Sequence, residues 1–195
     1  MSDGAAEIRR HLNGLAEVAG RTAETMSASI AELAELVSAT FERGNKLLFC
    51  GNGGSAADAQ HMATEYVVRF RRDRRGLPAL ALTTDTSLLT AAANDLGFEQ
   101  VFARQVEALA LPGDLLFLHS TSGTSPNLLA AARAARAQGV HTVALLARDG
   151  GPLRALVDRA LVVPTDFGAH AQELHLAISH AICDLVEGRS AEDGT

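Results

Sequence analysis

Apolar residues change their spacing along the chain, and each change marks the boundary of a predicted element. Over residues 5–43 they recur three or four positions apart, as at Ile30, Leu33, Val37 and Phe41. That spacing puts them on one face of a helix. Gly20 is a candidate break and Gly44 a candidate stop, so the pattern predicts one long helix or two shorter ones.

Five short apolar runs follow, each succeeded by a helical pattern, at residues 46–50, 79–83, 114–118, 141–146 and 160–163. Strands that alternate with helices build a parallel sheet with helices on both faces. The last pattern, over residues 169–187, is helical, with Leu174, Ile178, Ile182 and Leu185 on one broad face. We therefore predict a three-layer α/β domain with a five-stranded, mainly parallel sheet and a frayed polar tail over residues 188–195.

The size and composition of the chain suit a single globular domain over residues 1–195. With 47% hydrophobic and 21% charged residues, the chain can form a sizeable core. It has no Trp and one Tyr, which argues against base stacking. Its net charge of −6 opposes general nucleic-acid binding, because that binding needs a basic face.

The cysteines and the first residues of the chain favour a cytoplasmic protein. Cys50 and Cys183 lie in apolar segments far apart and form no CxxC metal motif, so we expect buried thiols. The first eleven residues lack the apolar stretch of a signal peptide. No apolar run approaches the roughly 18 residues of a membrane span. We expect no nucleic-acid partner and no membrane contact.

The first of two polar strand-to-helix junctions contains Gly51, Asn52, Gly53, Gly54 and Ser55. Glycines let the backbone approach a ligand closely, and helix N-termini attract anions. The segment also fits the dinucleotide pattern GxGxxA, but no acidic residue follows about 20 positions later to hold a ribose. A turn that needs glycine only for its backbone angles would leave Asn52 and Ser55 unexplained.

The second junction carries four hydroxyls beside a new helix, on Ser120, Thr121, Ser122 and Ser125. Hydroxyls and helix amides together form a neutral cradle for a phosphate group. A simple helix cap would need one hydroxyl, so four favour a phosphate site. In a doubly wound sheet both junctions lie at the carboxyl ends of strands, where ligands bind.

Two predicted helices carry side chains that can bind metal or move protons. His61 and Glu65 are four residues apart and share one helix face. Gln172, His175 and His180 lie on the last helix, where about 12 Å along the axis separates Gln172 from His180. If these two serve one site, we expect a neighbouring subunit to supply one of them. The isolated histidines are more simply core or surface residues, namely His119, His141 and His170.

Five arginines lie between residues 69 and 75, interrupted by Phe70 and Asp73. Their simplest interpretation is a solvated connection at the end of a helix, where cations interact favourably with the dipole. Arg69 lies closest to the helix of Glu65. It is the best candidate for contact with a substrate anion or a partner subunit.

Four segments, CGNGGSAADAQHMATE, AAANDLGFEQVFARQ, STSGTSPN and QELHLAISH, together resemble the sugar isomerase (SIS) domain family, and within it the phosphoheptose isomerases. The resemblance covers nearly the whole chain. It implies a single flavodoxin-like SIS domain, a homotetramer with active sites at subunit interfaces, and one zinc ion (Zn²⁺) per subunit. It also implies an aldose–ketose isomerase that converts sedoheptulose 7-phosphate to D-glycero-D-manno-heptose 7-phosphate through an enediol.

The same resemblance assigns roles to individual residues. The metal-binding positions would be His61, Glu65, Gln172 and His180. Glu65 and His180 would transfer protons, and enediol chemistry does require a base and an acid. The substrate-binding positions would be Asn52, Gly53, Gly54, Ser55, Glu65, Arg69, Asn94, Asp95, Ser120, Thr121, Ser122, Ser125 and Gln172.

The sequence departs from the family pattern at two places. Residues 168–171 read GAHA where the family usually shows a stretch like Thr-Ala-Arg-Ile, and Thr124 stands where Asn is common. Both departures concern recognition of the distal sugar hydroxyls. Two alternatives stay open, a non-catalytic SIS scaffold that associates with a replication initiator and an isomerase of another sugar phosphate. The presence of both Glu65 and His180 favours catalysis.

Overall fold

One helix of 39 residues, α1 (Gly4–Glu42), opens the part of the chain that the computed structural model describes, which is residues 3–192 with side chains to Arg189. Asp3 caps this helix by accepting a hydrogen bond from the amide of Ala5. The helix passes through Gly20 without a break and ends just before Gly44. Of the two predictions for this segment, one long helix is confirmed.

The sheet has five strands, β1 (Leu47–Gly51), β2 (Ala79–Ala81), β3 (Leu115–His119), β4 (His141–Ala147) and β5 (Arg159–Val163). All neighbouring strands are parallel, in the order β2-β1-β3-β4-β5. This is the flavodoxin-like order, and it confirms the predicted fold class. Each of the five apolar runs in the sequence overlaps one strand of the structure.

In the described part of the chain, five further helices follow α1, namely α2 (Gly54–Val67), α3 (Thr86–Leu96), α4 (Ala103–Leu109), α5 (Pro126–Ala137) and α6 (Gly168–Glu192). Short 3₁₀ turns occupy Phe98–Gln100 and Pro152–Ala155. Helix α6 runs five residues past its predicted end, while residues 193–195 of the predicted frayed tail lie outside the described residues. Within residues 3–192, none of the helices has the length and apolarity that a membrane crossing requires.

Strand residues alternate between two apolar layers. Leu47 and Phe49 pack with α1, α2 and α6, whereas Leu48 and Cys50 pack with α3, α4 and α5. A parallel sheet covered on both faces needs strands that are apolar throughout, which explains the continuous runs in the sequence. Both cysteines are buried and free. Burial raises the pKa of the Cys183 thiol to about 12, as expected for a structural thiol.

The order of the strands places the two polar junctions side by side. From β1 the chain moves outward to β2, and it then returns to form β3 on the opposite side of β1. The register sets Gly51 opposite His119, at the carboxyl ends of β1 and β3. Ligands of doubly wound sheets bind where the connections diverge in this way. The fold therefore brings both predicted ligand loops to one crevice.

Candidate active site

A pair of asparagines joins the two junctions. Asn52 Nδ2 donates to Asn127 Oδ1 at 2.9 Å, and Asn127 Nδ2 donates back to Asn52 Oδ1 at 2.8 Å. Asn127 is buried in the first turn of α5. This reciprocal pair fixes the first ligand loop against the second. Sequence reasoning missed Asn127, although its place at the end of the STSGTSPN segment was a signal.

The two junctions enclose a cavity of about 150 Å³, lined by Asn52, Ser55, His119, Ser120, Thr121, Ser122, Ser125 and Leu128. Ser120 Oγ accepts a hydrogen bond from the amide of Gly123 at 3.0 Å, which shapes the loop. Ser125 precedes α5, and its hydroxyl forms no capping hydrogen bond within the described residues. That hydroxyl is therefore available to a ligand. The structure thus gathers the predicted phosphate-binding hydroxyls around one space.

Helix α6 approaches α2 closely at the first junction. The side-chain amide of Gln172 donates to Ser55 Oγ at 3.5 Å. A Cβ atom added to Gly54 would overlap the Gln172 side-chain amide, which would then have to move away from this position. Gly53 has a φ of 57°, in the left-handed region that glycine adopts without strain. The glycines of this junction therefore serve both its turn and its packing.

Further along the same two helices, three ligating side chains converge. His61 Nε2 lies 3.0 Å from Glu65 Oε1 and 3.3 Å from His180 Nε2. The ring of Phe70 stacks on His180 with centroids 5.0 Å apart and an interplanar angle of 14°. One ligating atom from each of His61, Glu65 and His180 lies within 4.8 Å of the others. Two imidazoles and a carboxylate are a donor set that suits zinc.

The surroundings of this cluster alter two pKa values. Burial lowers the pKa of His180, and the nearby His61 lowers it further, while Glu65 acts in the opposite direction. Burial raises the pKa of Asp58, which lies one helical turn before His61. Asp58 Oδ2 has no hydrogen-bond partner in the described part of the chain. The sequence analysis assigned no role at this site to Asp58 or Phe70. The spacing of three residues between Asp58 and His61 could have indicated that Asp58 lies on the same helix face.

The two helices run side by side, with Ser55 facing Gln172 and His61 facing His180. His180 therefore reaches its partners within one chain. The expectation that a neighbouring subunit supplies either Gln172 or His180 stays a prediction, although His180 reaches His61 without such a neighbour. The reason is geometric, since two adjacent helices present matching positions along their whole shared length.

Three predicted substrate-binding residues lie away from both the two polar junctions and this cluster. Asn94 Nδ2 donates to Asp95 Oδ1 at 2.7 Å, and both exposed side chains sit near the C-terminal end of α3. Arg69 forms an ion pair with Asp73, and both side chains are mostly exposed. The fold of one chain therefore leaves these three residues facing solvent.

The arginine-rich connection is only partly solvated. The side chain of Arg74 is buried, donates to the carbonyls of Glu65 and Tyr66 at 2.7 Å each, and pairs with Glu187 at 2.9 Å. Glu187 also accepts hydrogen bonds from the amides of residues 70–72. The interpretation of the run as a solvated connection is thus wrong for Arg74. No local pattern marked Glu187, because its partners lie more than one hundred positions earlier.

The isolated histidines differ in environment. His119 is fully buried beside the cavity, and neither of its ring nitrogens has a partner among the described residues. Burial and the neighbouring His175 lower its pKa to about 3. Burial lowers the pKa of His175 to about 4, and its Nε2 lies 3.0 Å from the carbonyl of Leu146. These two are core histidines, and His141 lies on the surface.

Comparison with known proteins places this arrangement in a family. The SIS domain profile matches residues 10–147. A phosphoheptose isomerase from Roseiflexus sp. (strain RS-1) is 56% identical over 171 residues, which are 88% of this chain and 87% of the relative. Another from Geotalea daltonii is 49% identical over 94% of this chain and 95% of its own length.

Solved structures agree with the sequence relatives. A phosphoheptose isomerase from Francisella tularensis superposes with a TM-score of 0.92 at 36% identity, covering 95% of this chain and 98% of that one. The sugar isomerase domain of an RpiR transcription factor from Sphaerobacter thermophilus superposes with a TM-score of 0.64 at 19% identity, covering 98% of this chain and 93% of that one, which is a likeness of fold alone. The resemblance drawn from the four sequence segments is thereby confirmed. The chain belongs to the SIS domain family and, within it, to the phosphoheptose isomerases.

Proposed function

We propose that this protein isomerises sedoheptulose 7-phosphate to D-glycero-D-manno-heptose 7-phosphate. The observation that carries the proposal is the convergence of His61, Glu65 and His180 in a chain that belongs to the phosphoheptose isomerases. Such a reaction moves one proton between neighbouring carbons and one between neighbouring oxygens. Both transfers need side chains placed close together.

The cavity between the junctions would bind the phosphate group. Its hydroxyls and the N-terminus of α5 favour an anion without a lysine. His61 follows Ser55 by six residues on α2, a distance of about 9 Å along the helix axis. An open-chain heptose 7-phosphate carries its phosphate and its carbonyl near opposite ends of the carbon chain. That separation supports a long sugar phosphate that reaches from the cavity to the cluster.

Glu65 is the proposed base. Its Oε1 atom faces His61, and its partly exposed side chain leaves Oε2 open to a substrate. The carboxylate would remove a proton from C1 of the ketose and return it to C2. Through the ring nitrogen that does not hold the metal, His180 would donate a proton to the oxygen on C2 and accept one from the hydroxyl on C1. Phe70, stacked on His180, would keep the imidazole oriented for this exchange.

We propose that His61, Glu65 and His180 hold a zinc ion. The Nε2 atom of His61 faces two other ligating atoms, yet one ring nitrogen carries at most one proton. A cation satisfies such converging lone pairs together, so the donor set fits. When bound, zinc would polarise the carbonyl and hydroxyl oxygens of the substrate. Gln172, whose amide faces Ser55, would bind substrate or complete the metal site.

The proposed assembly is a homotetramer with substrate contacts across its interfaces. An apolar groove of about 380 Å³ runs between α1 and α6, and Ile8 and Leu12 are 64% and 57% exposed on one face of α1. Apolar surface of this kind marks protein–protein contacts. Asn94, Asp95 and Arg69 would then reach the substrate of a neighbouring subunit. The cytoplasmic location stays a prediction.

The test is an isomerase assay on sedoheptulose 7-phosphate, with zinc-loaded and chelator-treated protein of known oligomeric state. We expect turnover that chelation abolishes and added zinc restores. A folded, metal-loaded tetramer without turnover would support the scaffold alternative, which the identity to phosphoheptose isomerases disfavours. Faster turnover of a hexulose phosphate than of the heptose would support a different sugar substrate.

A further inference from the structure

A second cluster of ligating side chains joins α1 to the first turns of α6. It consists of His11, His170 and Glu173, and one ligating atom from each lies within 4.8 Å of the others. The rings of His11 and His170 are 4.7 Å apart between centroids. This cluster shares no residue with the candidate active site. It includes His170, which lies in the segment where the sequence departs from the family pattern.

Local geometry builds this cluster from both helices. His170 and Glu173 are three residues apart on α6, a spacing that puts both side chains on one face. His11 faces them from the third turn of α1. A Cβ atom at Gly14, one turn after His11, would lie 2.9 Å from Cε1 of His170. The absence of a side chain at Gly14 therefore lets α1 approach the His170 ring closely.

One ring nitrogen of His170 lacks a hydrogen-bond partner among the described residues. His170 is 7% exposed, and its Nε2 atom finds no hydrogen-bond partner among residues 3–189. A buried polar atom without a partner is costly, and such atoms are rare in folded proteins. Phe167 packs edge-on against both imidazoles, with interplanar angles of 82° and 84°. The rings are thus held close together by apolar packing, with a nitrogen left unsatisfied.

We propose that His11, His170 and Glu173 bind a second divalent transition-metal ion of the zinc type. Two imidazoles and one carboxylate are zinc ligands, whereas magnesium and calcium prefer sites built from oxygen. Glu173 is exposed, so water can occupy the remaining coordination position. The bound ion would give His170 its missing partner. It would also fasten α1 to the start of α6, where Gln172 approaches the first ligand loop.

This ion would stabilise the folded chain. His11 is far from His170 in sequence, so the three ligands come together only after folding. A ligand that binds the folded state alone raises the free energy of unfolding. The expected signature is therefore a zinc-dependent rise in thermal stability that does not depend on the candidate active site.

The experiment counts zinc ions bound by metal-depleted protein, using calorimetric titration with zinc alone. We expect two binding steps in the wild type and loss of one of them in His61→Ala. The substitutions His11→Gln, at a half-buried position, and Glu173→Gln, at an exposed one, should each remove the other step, while the exposed control His141→Gln should keep both. Circular dichroism confirms that each variant is folded.

A second measurement isolates the proposed ion. In the His61→Ala background, zinc should raise the melting temperature, and adding Glu173→Gln should abolish that rise. Two outcomes would overturn the proposal, a wild-type protein whose zinc binding is lost entirely in His61→Ala, or a zinc-dependent rise that survives Glu173→Gln. Both outcomes leave the proposed isomerase activity untouched, because that activity is assayed separately.

Discussion

Glu65 and Glu187 are both carboxylates placed between α2 and α6, yet their surroundings differ. Glu65 is partly exposed, and its Oε1 lies 3.0 Å from His61 Nε2. Glu187 is fully buried, accepts hydrogen bonds from the amides of residues 70–72 and pairs with Arg74. A carboxylate whose lone pairs are all engaged holds structure, whereas one with an open oxygen can accept a proton. Glu187 lies two turns of α6 after His180. Along the same pair of helices, the proposed catalytic residues are thus followed by residues that stabilise the structure.

Glu187 and Arg74 also hold the groups next to the proposed proton-transfer residues. Glu187 fixes the backbone of Phe70, whose ring stacks on His180. Arg74 binds the carbonyl of Glu65 itself and so holds the end of α2. The buried ion pair therefore positions both proposed proton-transfer residues without touching the substrate space.

The largest expected effect is on catalysis by Glu65→Gln. The substitution keeps the shape of the side chain and removes the base, so kcat should fall about a thousandfold. Steady-state assays on the heptose phosphate measure this, with unfolding in urea as a check that stability is unchanged. The surface variant Glu42→Gln serves as control. A kcat within a few-fold of the wild type would remove Glu65 from the proton-transfer role.

The second prediction concerns mixed oligomers. Because Glu65 and His180 meet within one chain, mixing the inactive variants Glu65→Gln and His180→Gln should restore no activity. Every site would still lack one of the two residues. Subunit exchange is verified by mass spectrometry, and a mixture of wild type with Glu65→Gln gives the reference. Clear recovery of activity would mean that the pair works across an interface.

Glu187→Gln should act on stability instead of chemistry. Removing one partner of a buried ion pair costs about 3 kcal/mol, because the Arg74 cation is left buried without its counter-charge. Urea unfolding measures this loss, while kcat per folded molecule should fall far less than in Glu65→Gln. Asp184→Asn is the matched control on the same helix. Its pair with Arg71 is 3.4 Å long and exposed, so it should cost less than about 1 kcal/mol.

The smallest effect is a pH dependence that belongs to Glu187. Burial alone would raise the pKa of Glu187, but the amides of residues 70–72 and the Arg74 cation outweigh it, and the pKa lies below its ordinary value. A lowered pKa stabilises the fold above the unfolded-state value, which is about 4.3, and this contribution disappears as pH falls through the folded-state value. The difference in the free energy of unfolding between the wild type and Glu187→Gln should therefore be constant near neutral pH and become smaller in acid. A gap that widens in acid would contradict the assignment.

Much of the candidate active site could be predicted because its parts are local. The glycine-rich junction, the four hydroxyls and the pair His61 and Glu65 each lie within a few residues, so their spacing alone indicates a shared helix face or helix N-terminus. Asn127 and Phe70 were missed because their roles depend on partners far away in sequence. His180 was assigned to the same site as His61 and Glu65, and the structure brings the three together within one chain, which could not be deduced from one helix considered by itself.

The sequence by itself determined the class of fold and the types of chemistry available. Continuous apolar runs specify strands buried on both faces, and polar junctions specify where a doubly wound sheet binds ligands. Only the tertiary structure decided that Glu65 keeps an oxygen free for a substrate while both oxygens of Glu187 accept hydrogen bonds. That choice depends on how α2 and α6 pack against each other, and packing brings together His61 with His180 and Arg74 with Glu187 across more than one hundred residues. The same packing of helix against helix brings together His11, His170 and Glu173, a cluster that no local sequence pattern indicates.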